Sequence, residues 1–250
     1  MQKRHFEMET DGFYGAYWKC KTDSDCAMIA MIGDDSEDYL ARTSVKWLHK
    51  LGVNVMTMSP AKKDYGHHNY PLERIEKAIS WLKTHGNQKI GIVGASTTGT
   101  LALTAASYFE DLTLTIGLTP SDFIWQGFMQ GKKDGCKEWP IERESLFSYK
   151  GEPLPYMPFC YKHPDYWHVI EKETKRTGDM INSRKLFDDS ETAHPITEEE
   201  MIKIEKIHGT LLLIGAEDDV LWDTAKYIRR MELRMKERPH TCRLESVIYE

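Results

Sequence analysis

The feature that most constrains this chain is Ile90-Gly91-Ile92-Val93, followed at once by Gly94-Ala95-Ser96-Thr97-Thr98-Gly99 and then the Ala/Leu-rich run Leu101 to Ser107. The first run reads as a buried strand and the last as a buried helix. A turn this short and this small requires strand and helix to pack closely on one sheet, and glycine permits that approach. Such a turn lifts Ser96 off the sheet edge. It also sets the Thr97 N–H at a helix N-terminus, where a developing oxyanion is stabilised. Ser96 is therefore a candidate nucleophile. The usual elbow reads G-x-S-x-G, whereas here Thr98 holds the second glycine position and Gly99 comes one residue late. Strand, glycine turn and helix also occur in folds without a nucleophile, so the motif alone leaves both readings open.

Strands and helices alternate around this turn. Cys26 to Ile32 is a continuous apolar run, as in a strand covered on both faces, and it ends at Gly33-Asp34-Asp35-Ser36. Tyr39, Leu40, Val45, Leu48 and Leu51 recur at helical spacing, and Gly52 closes that helix. Val53 to Met58 predicts a strand. Pro71 opens a helix with Leu72, Ile75, Ile79 and Leu82 on one face, closed by His85-Gly86. Leu112 to Leu118 is another strand. Later come a strand at Thr210–Ile214, a helix from Trp222 to about Lys236 and a last strand, Arg243 to Tyr249. Near the start, Asp11-Gly12 between two short runs predicts an antiparallel hairpin on the sheet edge. The expectation is an α/β fold with a mostly parallel, doubly wound sheet, and 250 residues suffice for one such domain.

The alternation breaks between Thr119 and about Ile207, where no clear strand is legible. Thr197-Glu198-Glu199-Glu200 reads as a capping box opening a helix with Met201, Ile204 and Ile207. Phe123, Trp125, Phe128, Trp139, Tyr156, Phe159 and Trp167 are too many aromatics for a solvated loop. The segment, about residues 120–208, is expected to be a cap inserted over the strand ends, with a substrate-facing wall as one use of its rings.

A serine nucleophile needs an acid and a base. The Thr210–Ile214 strand ends in Glu217-Asp218-Asp219, where a carboxylate would orient an imidazole; the plainer reading is a solvated turn capping the next helix. The turn at Gly33 and Asp34 is placed to give the second oxyanion N–H, or simply to cap a helix. The base is expected just after the last strand, but Glu250 ends the sequence there, so the chain reads as C-terminally truncated before the catalytic histidine. His240 precedes that strand. His67 and His68 lie in a loop at the expected edge, as candidate substrate-loop residues or an unusual base.

Charge and cysteine content exclude other classes. A net charge of −6 argues against nucleic acid as partner. Five scattered cysteines (Cys20, Cys26, Cys136, Cys160, Cys242) form no disulfide or zinc pattern. No metal or other cofactor is implied. The N-terminus has no signal-peptide core and no run is long enough to span a membrane, so a cytoplasmic location is the default.

Several segments in order resemble the catalytic domain of the acyl-CoA thioester hydrolase and bile-acid-CoA:amino-acid N-acyltransferase family, an α/β-hydrolase family. They are Tyr70-Pro71-Leu72-Glu73-Arg74-Ile75-Glu76-Lys77-Ala78-Ile79-Ser80-Trp81-Leu82, Gly91 to Ser96, Phe147-Ser148-Tyr149-Lys150-Gly151-Glu152-Pro153-Leu154-Pro155, and Asp218-Asp219-Val220-Leu221-Trp222. The resemblance runs from about residue 26 to the end. It implies Ser96 as nucleophile and, since the acyltransferase branch carries cysteine there, thioester hydrolysis. The D-D-x-x-W spacing selects Asp219 as the acid, whereas counting from Gly215 selects Asp218. Thr97 and Thr98 replace the family's Lys-Gly, and the family histidine has no counterpart. A small carboxylester or dienelactone-type hydrolase, and a non-catalytic hydrolase-like protein, are the rival readings. The expected partner is a small acyl thioester or ester.

Overall fold

The computed structural model describes residues 3–60, 66–130 and 138–250; Cys136 lies outside them. Eight strands form the main sheet: β1 (Lys3–Phe6), β2 (Gly15–Trp18), β3 (Cys26–Met31), β4 (Asn54–Met58), β5 (Lys89–Ala95), β6 (Leu112–Leu118), β7 (Thr210–Ala216) and β8 (Arg243–Tyr249). Their order across the sheet is β1-β2-β4-β3-β5-β6-β7-β8. β2 pairs antiparallel with both β1 and β4, and every pair from β4 to β8 is parallel. The antiparallel edge is as expected, but a short helix, Met8–Asp11, fills its turn, with Gly12 left-handed at φ 74°.

Four helices make the right-handed returns that parallel strands demand. They are α1 (Tyr39–Lys50), α2 (Glu73–Thr84), α3 (Thr97–Tyr108) and, further along, α6 (Thr224–Glu237). α1 covers one face through Val45 and Leu48, packed with Met28, Ala30, Val55 and Val93. α2, α3 and α6 cover the other through Ile75, Ile79, Leu101, Leu103, Ile228 and Met231. α3 is buried from Thr97 through Ala106, which accounts for its Ala/Leu composition.

Several boundaries differ from the sequence reading. α2 starts at Glu73, because Tyr70–Pro71 pairs with Phe147–Tyr149. The flanking N–H groups of Tyr70 and Leu72 bond the Leu146 and Ser148 carbonyls, and Pro71 occupies the position that needs no donor. α6 starts at Thr224, capped by the Asp223 carboxylate on the Lys226 N–H rather than by Asp218 or Asp219.

The segment between β6 and β7 holds strands where none was expected: Gln126–Gln130 pairs with both Glu138–Ser145 and Gly66–His67. Gln126–Gln130 and Gly66–His67 are short, and the eight-residue Glu138–Ser145 is charged and carries Pro140 and a bulge, so their period-2 pattern is hidden. Two helices follow, α4 (Asp165–Thr177) and α5 (Arg184–Ala193). The predicted helix after Thr197 is corrected to a single turn and a 3-10 piece, Ile204–Lys206. The Glu200 carboxylate does take the Thr197 N–H at 2.7 Å, but the chain then leaves to pair Met201 with Phe123.

The aromatics of this segment form an interior. Trp125 packs at 5.1–5.2 Å from Trp222 and Phe187, and Phe159 packs on Phe187 and Tyr166. The basic residues Lys226, Arg230 and Arg234, spaced by four along α6, grip its acids. Arg230 meets Asp122 at 2.5 and 2.7 Å and Glu191 at 2.8 Å, Lys226 meets Glu191 at 2.9 Å, and Arg234 meets Glu198 and Glu205 at 2.7–2.9 Å.

Candidate active site

Ser96 sits between β5 and α3 with φ 59° and ψ −127°, a conformation that a non-glycine residue adopts only when its surroundings impose it. The constraints are visible. Its N–H bonds the Leu118 carbonyl at 2.8 Å, so the turn is pinned to the end of β6. A Cβ on Gly94 would fall 2.0 Å from the Thr98 carbonyl oxygen, and one on Gly99 would fall 2.9 Å from the Leu118 oxygen. Both glycines are therefore demanded by close approach. Thr98 is tolerated because its hydroxyl takes the Ala95 N–H at 3.0 Å and lies 2.5 Å from the Met31 carbonyl and 2.8 Å from the Ala95 carbonyl. The departure from G-x-S-x-G is thus a hydrogen-bonded substitute, tying the elbow to β3. Ser96 itself is partly exposed.

The turn after β3 is organised by Asp38. Its carboxylate caps α1 through the Ala41 N–H at 2.8 Å and takes the Asp34 N–H at 2.7 Å. The Asp34 N–H, one of the two candidates for the second oxyanion donor, is thereby occupied. Gly33 is left-handed at φ 104°, and a Cβ there would run into the Asp38 carboxylate at 2.4 Å, so this position requires glycine. Burial, then the Asp38 charge, raises the Asp34 carboxyl.

At the end of β7 the two candidate acids differ in how they are held. Asp219 accepts the Leu221 N–H at 2.9 Å on one oxygen, and the Thr224 hydroxyl lies 3.0 Å from the other. Asp218 is exposed, with its neighbour's backbone carbonyl, not its own, bonded by Arg184 at 3.0 Å. The loop as a whole is clamped. Ser183 and Arg184 at the start of α5 donate to the Val220 carbonyl, Glu217 donates to Tyr249, and the Trp222 indole donates to Thr119 at 3.1 Å.

Ser96 follows β5 and Asp219 follows β7, two parallel strands separated by β6, so both lie at the same edge of the sheet. His67 and His68 lie against the inserted segment. His67 is fully buried in the strand that pairs with Gln126–Gln130, with its ring 5.6 Å from Phe128. Burial, with the nearby His68, pushes its pKa down to about 3. His68 meets Glu144 at 2.8 Å. The rest of their loop, 61–65, lies outside the described residues.

Residues 70–250 match the family described as BAAT / acyl-CoA thioester hydrolase C terminal. The chain belongs to this family. No curated protein sequence matches it. Among solved structures it is similar to an esterase of Pyrococcus furiosus, at 14% identity and TM-score 0.54 over 95% of this chain and 78% of that one. It is also similar to an α/β-hydrolase enzyme from a Medee basin deep-sea metagenome library, at 14% identity and TM-score 0.51 over 100% and 84%. An esterase of the bacterial hormone-sensitive lipase family gives 12% and 0.53 over 99% and 74%. At these identities the likeness establishes the fold, and this BAAT / thioester hydrolase family member has the α/β-hydrolase fold. Among its described residues no helix is long and apolar enough to cross a membrane.

What sequence reasoning missed was the support around the candidate residues: Asp38, the indole N–H of Trp222 on Thr119, and the basic stripe of α6. Trp222 stood out only as part of the D-D-x-x-W spacing, and the stripe carried the i, i+4 repeat of Lys226, Arg230 and Arg234.

Proposed function

We propose that this chain is a serine hydrolase of acyl thioesters, reacting through an acyl-enzyme on Ser96. The observation that carries the reading is the left-handed, partly exposed Ser96 on a turn pinned to two neighbouring strands, with the Thr97 N–H behind it at the head of a helix. Ser96 Oγ attacks the carbonyl carbon, and its proton passes to a base. The tetrahedral oxyanion rests on the Thr97 N–H and on a second donor from the turn after β3, where Gly33 is the candidate left once Asp34 is engaged by Asp38. The C–S bond then breaks and the protonated thiol leaves. Water attacks the Ser96 ester and releases the acid. Asp219 is the carboxylate for orienting the base, because its turn already holds it by two contacts. The base is the one part of the machinery to which none of the 250 residues is assigned. The 119–209 segment acts as the cap, its aromatic interior giving it a fixed shape.

An ester substrate is the second reading, favoured by the esterases among the structural neighbours. The test compares hydrolysis of acyl-CoA with that of short p-nitrophenyl esters, alongside fluorophosphonate labelling of the chain and of Ser96→Ala. Thioester turnover and labelling that both vanish in Ser96→Ala, with Asp219→Asn impaired far more than Asp218→Asn, support the proposal. Preference for p-nitrophenyl esters moves it to the second reading. A folded chain that neither labels nor turns over either substrate refutes catalysis by these 250 residues.

A further inference from the structure

A cavity of about 370 Å³ lies in the 119–209 segment, within the range of small-molecule sites. Its construction is independent of Ser96. The strand Glu138–Ser145 bulges: the four residues between Pro140 and Ser145 face a single residue, Gly127, on the partner strand. In that bulge Arg143 is held at φ 64°, a left-handed conformation that costs a branched or long side chain energy and that no glycine relieves. Bulges of this kind re-aim a side chain. Arg143 lines the cavity, is exposed, and makes no hydrogen bond or ion pair with another described residue.

The cavity's polar neighbours are bonded to one another. Lys162 pairs with Glu142 at 2.9 Å, Glu144 beside the bulge is hydrogen-bonded to His68 at 2.8 Å, and the Tyr161 hydroxyl donates to Asp189 at 2.5 Å. Among the described lining residues the Arg143 guanidinium keeps its N–H groups unengaged, although Glu142 beside it feels its charge. Tyr156 and Phe159 with Pro140 and Pro158 supply the apolar part of the lining. Gln126 joins the two sides, its amide donating to the Ile141 carbonyl at 3.0 Å and its oxygen accepting the Phe159 N–H at 3.0 Å. The cavity is thus braced by Gln126, with the unbonded guanidinium of Arg143 in its lining.

We propose that this cavity is a binding site for a small monocarboxylate with a flat apolar body, the carboxylate meeting Arg143 side-on and the body lying between Tyr156 and the prolines. A guanidinium presents two parallel N–H groups to a carboxylate, which makes the pair both strong and directional. One guanidinium with its N–H groups unengaged suits one carboxylate, and the Tyr156 and Phe159 rings beside the prolines suit a flat apolar body.

The experiment is calorimetric titration of the whole chain with benzoate, its neutral isostere benzamide, and inorganic phosphate. It is repeated on Arg143→Gly, in which glycine suits the φ of 64° and removes the guanidinium, so the variant should melt no lower than the parent. The expected result is saturable one-to-one binding of benzoate, at least tenfold weaker binding of benzamide and of phosphate, and at least a tenfold loss for benzoate in Arg143→Gly. Equal binding of benzoate and benzamide would overturn the role of the charge. Phosphate binding as tightly as benzoate would overturn the role of the walls, and no saturable benzoate binding, or undiminished binding in a folded Arg143→Gly, would overturn the site.

Discussion

The indole N–H of Trp222 donates to the Thr119 carbonyl oxygen at 3.1 Å, tying the loop after β7 to the last turn of β6. One residue earlier, the Leu118 carbonyl accepts the Ser96 N–H at 2.8 Å. The candidate nucleophile and the candidate acid loop are therefore referenced to consecutive carbonyls of one strand end. Thr119 stands at φ 45°, which turns its carbonyl away from the ladder after its own N–H has bonded Ile214.

Trp222→Phe keeps a ring against Trp125 and Phe187 but removes this donor. Leaving the Thr119 carbonyl unpaired is expected to cost about 1–3 kcal/mol, read as a lower urea midpoint at unchanged slope. Any fluorophosphonate labelling of Ser96 should slow in the same variant, because the two sites share the β6 end.

Thr98 tests the elbow. Thr98→Val keeps the shape and removes the hydroxyl that serves the Ala95 N–H and lies against the Met31 carbonyl, with an expected loss of about 1–3 kcal/mol. Thr98→Ser should retain most of the stability. Chemical denaturation of the pair separates the hydroxyl from the methyl; equal loss in both would show that the methyl packing, not the hydrogen bonds, holds the turn.

Arg230 is the central clamp between α6 and the inserted segment. Arg230→Met strands the Asp122 carboxylate, which is 1% exposed, and is expected to destabilise by about 3–5 kcal/mol. Adding Asp122→Leu should recover much of that loss, since both charges then leave the interior together. Melting of the single and double variants measures the coupling.

His67 makes stability depend on pH. Its folded pKa of about 3 lies below the ordinary value of 6.5, so folding favours the neutral ring. That contribution is complete above pH 6.5 and is lost as pH falls toward 3, at about 1.4 kcal/mol per unit. His67→Phe, which keeps a ring beside Phe128, should flatten the fall in stability between pH 6.5 and 4 relative to the parent. Parallel curves for the two proteins would exclude His67 as the source. Carboxylates such as Glu198, held down to about 2 by Arg234 and Lys203, act at lower pH in both.

By itself the sequence determined the sheet and the elbow. β3 to β7 are local apolar runs and β8 an alternating one, α1, α2 and α6 are local amphipathic repeats and α3 an apolar one, and the close packing at Gly94 and Gly99 is written in residue size. Local order of this kind survives translation into fold because periodicity and small residues act on neighbours along the chain. The tertiary structure alone decided what surrounds Ser96. Asp38 reaches back over Gly33 and engages the Asp34 N–H, Trp222 meets Thr119 across 103 residues, and Arg230 meets Asp122 across 108. The strands of the inserted segment, with their bulge at Arg143, also took shape only in space. The Trp222 and Arg230 contacts join residues far apart in the chain, and the Asp38 contact joins residues only four apart but depends on the left-handed turn at Gly33; in all three, hydrogen-bond geometry and burial, not local pattern, select the partner.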